Sequence, residues 1–166
     1  MNRSKGPTGH RPTDSFRLEH RDIEDQLAEM DRQVGRLFSA TPAEQRDSMA
    51  RFIAFLREHV LTHAEWEEKV LYPVVDRRAG SGENRFTASM RHEHTIVARR
   101  TDELAAEAEK AEPNAVWFAR RADQLLGLLL AHLENEEEIL LPVLDWTMTP
   151  EDFEREVFSK GFPQLE

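Results

Sequence analysis

One fourteen-residue stretch occurs twice in this chain, and no other feature limits its fold as strongly. Residues 63–76 read HAEWEEKVLYPVVD and residues 132–145 read HLENEEEILLPVLD, with eight of the fourteen positions identical. Each copy opens with His-x-x-x-Glu, namely His63 with Glu67 and His132 with Glu136. Four residues turn a helix through ~400°, so the two side chains lie ~40° apart on one face and form a chelating pair. Two such pairs, on helices that also carry apolar stripes, point to a metal site inside a helical bundle.

Composition narrows the classes. The 166 residues suffice for one domain with its own core. A formal charge of −10 without a basic stripe argues against nucleic acid and anionic membrane surfaces as partners. The absence of cysteine excludes disulfides, thiolate metal sites and cysteine nucleophiles. The basic N-terminus has no apolar run behind it, as a signal peptide would. The longest apolar run, residues 125–131, is far short of the ~20 residues a membrane span needs. The expectation is a cytoplasmic protein, all-α in class, because Ala, Leu, Glu and Arg are plentiful and β-branched runs are few.

Residues 1–12 read as a disordered tail, residues 13–146 as the bundle and residues 147–166 as an extension packed on it. Thr13 or Asp14 is positioned to cap a first helix ending near Ser39. That helix carries Phe16, Ile23, Leu27, Met30, Val34 and Leu37 on one stripe, with His20 in the gap after Phe16. Thr41, Pro42 and Glu44 form a capping box with proline at the first helical position. The second helix turns Met49, Phe52, Ile53, Leu56, His63, Glu67, Val70, Leu71 and Val74 inward, and Pro73 is expected to kink it. Gly80-Ser81-Gly82 divides the chain in two. The third helix, expected from about Asn84 to Lys110, turns Met90, His94, Val97, Thr101, Leu104 and Ala108 inward. After a turn at Glu112-Pro113-Asn114, the fourth buries Phe118, Ala122, Leu125, Leu129, His132, Glu136, Ile139 and Val143. A short last helix starts at Thr149-Pro150-Glu151, with Phe153, Val157 and Phe158 packing it on the bundle end. Glu19-His20 in the first half is echoed by Glu93-His94 in the second. Short connections imply antiparallel neighbours, hence an up-down-up-down four-helix bundle with a short C-terminal helix.

Each helix then offers one inward histidine: His20, His63, His94 and His132. Helices two and four add Glu67 and Glu136. A buried carboxylate without a partner loses several kcal/mol of solvation, and no Lys or Arg lies on these stripes. Two di- or trivalent cations would meet that charge. Four imidazoles and two carboxylates suit iron, with zinc or manganese as alternatives. The repeat predicts two metals, each with two histidines, bridged by Glu67 and Glu136 and by a solvent-derived oxide or hydroxide. Positions left open would take a diatomic ligand or peroxide.

These residues resemble the hemerythrin-like, or HHE cation-binding, domain. The resemblance rests on His20, on His63-Ala64-Glu65-Trp66-Glu67-Glu68 followed by Leu71-Tyr72-Pro73, on Glu93-His94, and on residues 132–142; it covers residues 14–146. It implies a non-haem di-iron site in a four-helix bundle with the same six ligands. Family members include oxygen carriers, oxygen or iron sensors, peroxide-consuming proteins and proteins linked to iron–sulfur cluster repair. The oxygen carriers use a fifth histidine where this chain has Met90, and typically an aspartate five residues after the fourth-helix histidine, where this chain has Glu137. Both departures favour the more symmetric HHE proteins over a reversible oxygen carrier. The pattern is also not the Glu-x-x-His pairing of ferritin-like folds.

The other candidates carry less. Glu65, Glu68, Glu134 and Glu137 are expected on solvated faces by helical rotation, as is His92. His59, one turn before His63, is an extra ligand, a gate or a spacer. Trp66, Trp117, Trp146 and Tyr72 are expected to pack, as is Met90, and His10 lies in the tail. The function expected is binding, sensing or consuming oxygen, peroxide or nitric oxide. Peroxide decomposition would be the enzymatic form of it. The alternatives are an iron-responsive regulatory or interaction module and a metal-free scaffold. His63→Ala and His132→Ala are each expected to deplete metal, measured by elemental analysis of the purified protein.

Overall fold

The computed structural model describes residues 11–82 and 85–161; most of the expected tail, residues 1–12, lies outside them. The described residues are helical with no strand. Helix α1 is Asp14–Arg36 and α3 is Ala88–Ala108. Helix α2 covers 42–79 and α4 covers 115–147, each without a break; α5 covers 150–158. Among the four long helices, α1 and α3 each pack against both α2 and α4, and the ends of α2 and α4 meet each other. None of the described helices is long and apolar enough to cross a membrane.

Local signals set the starts. Thr41 Oγ1 accepts from the Glu44 N–H while the Glu44 carboxylate accepts from the Thr41 N–H, which completes the capping box. Asn114 and Thr149 cap α4 and α5 with a side-chain oxygen alone, accepting from the Trp117 N–H and the Asp152 N–H. Gly80 closes α2 at φ 65°, a left-handed position that glycine enters at little cost.

Helices α2 and α4 are not regular. Helix α2 widens into π turns at Leu56–Val60 and Glu67–Leu71, and α4 does so at Glu136–Leu140. The last two occupy matching places in the repeat, and each opens on the glutamate of its chelating pair. The Tyr72 N–H reaches back to the Glu67 carbonyl and the Leu141 N–H to the Glu136 carbonyl. Pro73 and Pro142 then stand second in the α segments that resume. In a regular helix a proline ring presses on the carbonyl four residues back; the wider turn removes that clash. A π turn therefore stands just ahead of Pro73, where the kink was expected.

That extra residue per turn changes which side chains face inward. Past Glu67 the buried residues are Leu71, Tyr72, Val74 and Val75; past Glu136 they are Leu140, Leu141 and Leu144. Ile139 is 50% exposed, and Val70 and Val143 are only half-buried. A strict α period had put all three inside.

The aspartates that end the two copies tie the halves together. Asp76 accepts from the Phe86 N–H, the Thr87 N–H and Thr87 Oγ1, at 2.9–3.0 Å, and so serves the start of α3. Asp145 accepts from the Thr13 N–H at 3.2 Å and from Thr13 Oγ1 at 2.7 Å, and serves the start of α1. Thr13 makes no cap bond with its own helix. Arg17 and Arg91, each four residues after its threonine, donate through Nε to the threonine hydroxyl.

The apolar interior forms two clusters. One joins Ile23, Leu27, Phe52, Val60, Val97, Phe118, Leu129 and Leu133; the other joins Phe16, Trp66, Leu71, Tyr72, Met90, Leu140 and Leu144 with Phe153 and Val157 of α5. His20, His63 and His94 fall in sequence between the two sets, and His132 stands one residue before the last member of the first, so a polar layer separates them. Asp76→Ala leaves two N–H groups at the start of α3 without their acceptor. It is expected to lower stability by about 1–3 kcal/mol, read as a lower urea midpoint at unchanged slope.

Candidate metal centre

The polar layer is built by all four long helices. His20 on α1, His63 and Glu67 on α2, His94 on α3, and His132 and Glu136 on α4 are all buried, with Glu67 1% and Glu136 0% exposed. Two groups have ligand atoms within 4.8 Å of one another: His20, His63 and Glu67, and Glu67, His94 and His132. Glu67 belongs to both. Its Oε1 lies 2.7 Å from His63 Nε2 and 3.9 Å from His20 Nε2, and its Oε2 lies 3.3 Å from His94 Nε2. Glu136 Oε2 lies 3.5 Å from His20 Nε2 and 3.7 Å from His132 Nε2. The structure therefore brings all six sequence-predicted residues into one buried cluster, with Nε2 of every histidine turned inward.

Carboxylates behind the rings assign the tautomers. Glu68 Oε1 is 2.9 Å from His94 Nδ1, Glu93 Oε2 is 2.7 Å from His132 Nδ1, and Glu137 Oε1 is 3.4 Å from His20 Nδ1. Each acid comes from the neighbouring helix. An ionised carboxylate only accepts, so in the neutral rings of His94 and His132 Nδ1 carries the proton and Nε2 presents its lone pair. Glu68 and Glu137 are thus not free solvated residues, as helical rotation suggested; their long side chains reach sideways across a helix interface. Glu65 and Glu134 are exposed as expected. The signal for the buttressing acids was the repeat itself: Glu68 matches Glu137, and Glu93 follows the pattern of Glu19. Burial and Asp22 raise the Glu19 carboxyl, while nearby His63 works against them, which places Glu19 by the fourth histidine.

The donor set fits a cation. His94 Nε2 and His132 Nε2 face each other at 3.0 Å, and two opposed lone pairs at that distance repel unless a positive charge sits between them. His20 Nε2, Glu67 Oε1 and Glu136 Oε2 are buried without a directed hydrogen bond. A bound cation would satisfy all of these atoms, and mixed imidazole and carboxylate donors suit iron or zinc.

Tyr72 joins this layer, where sequence reasoning assigned it to packing. Its hydroxyl donates to Glu136 Oε1 at 2.6 Å and lies 3.2 Å from His94 Nε2. Trp66 packs as expected, with Nε1 donating to the Lys160 carbonyl at 3.3 Å. Trp146 does not pack: it is 89% exposed. Met90 is core, His92 is exposed, and His59 stands outside both ligand groups with its ring 5.7 Å from Phe55. An apolar chamber of about 30 Å³ opens beside His63, Glu67, His94 and His132, walled by Ile23, Leu27, Val60, Val97, Leu129 and Leu133.

Without metal the layer holds protons. Burial alone would lower His20, but Glu137, Glu67 and Glu136 outweigh it and push its pKa up to about 9. Burial is likewise outweighed at His132 by Glu136 and Glu93, again to about 9. Burial would raise Glu67, yet His63, His20 and His94 hold it well below the usual carboxylate range. Glu136 is raised by burial and by the Glu67 charge. For the two histidines the folded pKa exceeds the unfolded value near 6.5. Their contribution to stability is complete below about pH 6.5 and disappears as pH climbs through about 9. The metal-free protein is expected to lose several degrees of Tm over that interval, since each kcal/mol is worth ~2–4 °C at this size. Bound metal replaces those protons and should flatten the decline; thermal melts across the interval, with and without iron, measure both.

Comparison with known proteins agrees with this geometry. The family model of the hemerythrin HHE cation-binding domain matches residues 11–144. Neither the curated proteins nor the solved structures gave a match. The matched span contains all six residues of the buried cluster and covers most of the chain, which therefore belongs to the hemerythrin HHE cation-binding family.

Proposed function

We propose that the chain is a non-haem di-iron protein that binds, senses or consumes oxygen, peroxide or nitric oxide. In this reading His20 and His63 serve one iron and His94 and His132 the other. Glu67 and Glu136 lie between them, with an oxide or hydroxide from solvent. The observation that carries it is the pair of buried ligand groups sharing Glu67. A single ion would use one group, Glu67 included, and leave the other's two histidines unmet in an apolar interior. Iron is preferred to zinc or manganese on its fit to mixed nitrogen and oxygen donors and on the family's usual metal.

The architecture we infer is an up-down-up-down bundle over residues 13–146, with residues 1–12 as a tail and residues 147–166 as an extension. Iron held there supplies a redox-active Lewis acid with room for a further ligand. The chain's own residues do the rest. Glu68, Glu93 and Glu137 hold three imidazoles with Nε2 inward, and the two apolar clusters keep bulk water from the layer. The chamber beside the histidines has room for a molecule of a few atoms and is walled by aliphatic side chains, which favours a small, weakly polar ligand. The charge of −10 supports a cytoplasmic protein acting on a diffusible ligand rather than on nucleic acid or a membrane.

Iron-replete expression is expected to give about two irons per chain with the near-ultraviolet charge-transfer bands of an oxo-bridged pair. Glu67→Ala, which removes the ligand common to both groups, should lower iron to well under half of that. Oxygen binding, peroxide consumption and nitric oxide binding by the loaded protein then separate the three ligands. A loaded protein inert to all three, whose helices melt when iron is withdrawn, would instead be an iron-responsive regulatory module. Absence of iron altogether would sink the proposal.

A further inference from the structure

The repeat is broken at one position inside the centre. Tyr72 in the first copy corresponds to Leu141 in the second. Both are buried, but only the first carries a polar atom. The Tyr72 hydroxyl ends in the ligand layer, 2.6 Å from Glu136 Oε1 and 3.2 Å from His94 Nε2. Its ring is held on two sides: it stacks on His94 at 5.4 Å and 13°, and the Arg91 guanidinium lies 5.2 Å from its centroid. The residue is fully buried, so the hydroxyl has one place to be.

The two glutamates consequently present themselves differently. Glu67 offers both oxygens to histidines, Oε1 towards His63 and Oε2 towards His94. Glu136 has Oε1 tied to Tyr72, and its Oε2 alone faces His20 and His132. Leu141 makes no matching bond to Glu67.

We propose that Tyr72 is a positioning residue that restricts Glu136 to one-oxygen ligation, and so makes the two metal positions inequivalent. This rests on the di-iron reading. The phenol touches His94 and Glu136. It acts on the position served by His94 and His132 through His94, and on both positions through Glu136, whose Oε2 lies 3.5 Å from His20 and 3.7 Å from His132, so its influence is unequal. Two nearly repeated half-sites thus become a centre with distinguishable ends, as one-sided binding of a small ligand requires. The bonding involved is a hydrogen bond from a neutral phenol, with no proton or electron transferred.

The test is Mössbauer spectroscopy of the full-length protein loaded with isotopically enriched iron, alongside Tyr72→Phe, which removes one oxygen and keeps the ring. Wild type should show two quadrupole doublets of equal area. Tyr72→Phe should keep the iron content and shift one doublet more than the other, so that their separation changes. A single wild-type doublet, two unmoved doublets, two doublets shifted equally, or iron lost from the variant would each overturn the inference. Failure of wild type to hold an iron pair, seen first in metal analysis, would instead remove the di-iron reading and this inference with it.

Discussion

Two carboxylates, Glu67 and Glu136, are held in the middle of an apolar interior with almost no access to water. Burying such charge is unfavourable by several kcal/mol unless positive charge meets it. Among the described residues no Lys or Arg supplies that charge to them; imidazoles surround them instead. Every other feature of the layer follows from that constraint. Without metal, protons on His20 and His132 meet the carboxylates. With metal, the same lone pairs become ligands. Protons and cations therefore compete for one set of atoms, and stability, metal content and pH are linked through it.

The layer is held by contacts between helices rather than within them. Glu68 of α2 buttresses His94 of α3, Glu93 of α3 buttresses His132 of α4, and Glu137 of α4 buttresses His20 of α1. At the ends, Asp76 of α2 serves the start of α3, and Asp145 of α4 serves the start of α1. Both sets repeat with the halves of the sequence. The short duplicated segment thus supplies His63, Glu67, His132 and Glu136, the orienting acids Glu68 and Glu137, and the aspartates that join one half to the other. Tyr72 is where the duplication stops, and it stops at the ligands themselves.

The π turns connect the backbone to this chemistry. A π turn opens on each ligand glutamate, and each precedes a proline. The proline makes a regular helix unfavourable there, and the wider turn that relieves it re-aims the residues that follow. Tyr72 is buried because of that shift.

Much of this was legible in the sequence. The repeated His-x-x-x-Glu, the stripe positions of His20 and His94, and the capping signals at Thr41 and Thr149 are local patterns, and helical periodicity turns them directly into an all-helical chain with six converging candidate ligands. Three things were not legible. Ile139 and Val143 were placed inside because a 3.6-residue period does not register an inserted residue. Glu68 and Glu137 were placed in solvent because rotation about one helix says nothing of what a long side chain meets on the next. Tyr72 was taken for packing because its partner, Glu136, is 64 residues away. Sequence determines which face of each helix is apolar and which groups it carries; the packing of one helix against another decides which groups meet, and that distance-dependent step exists only in the folded chain.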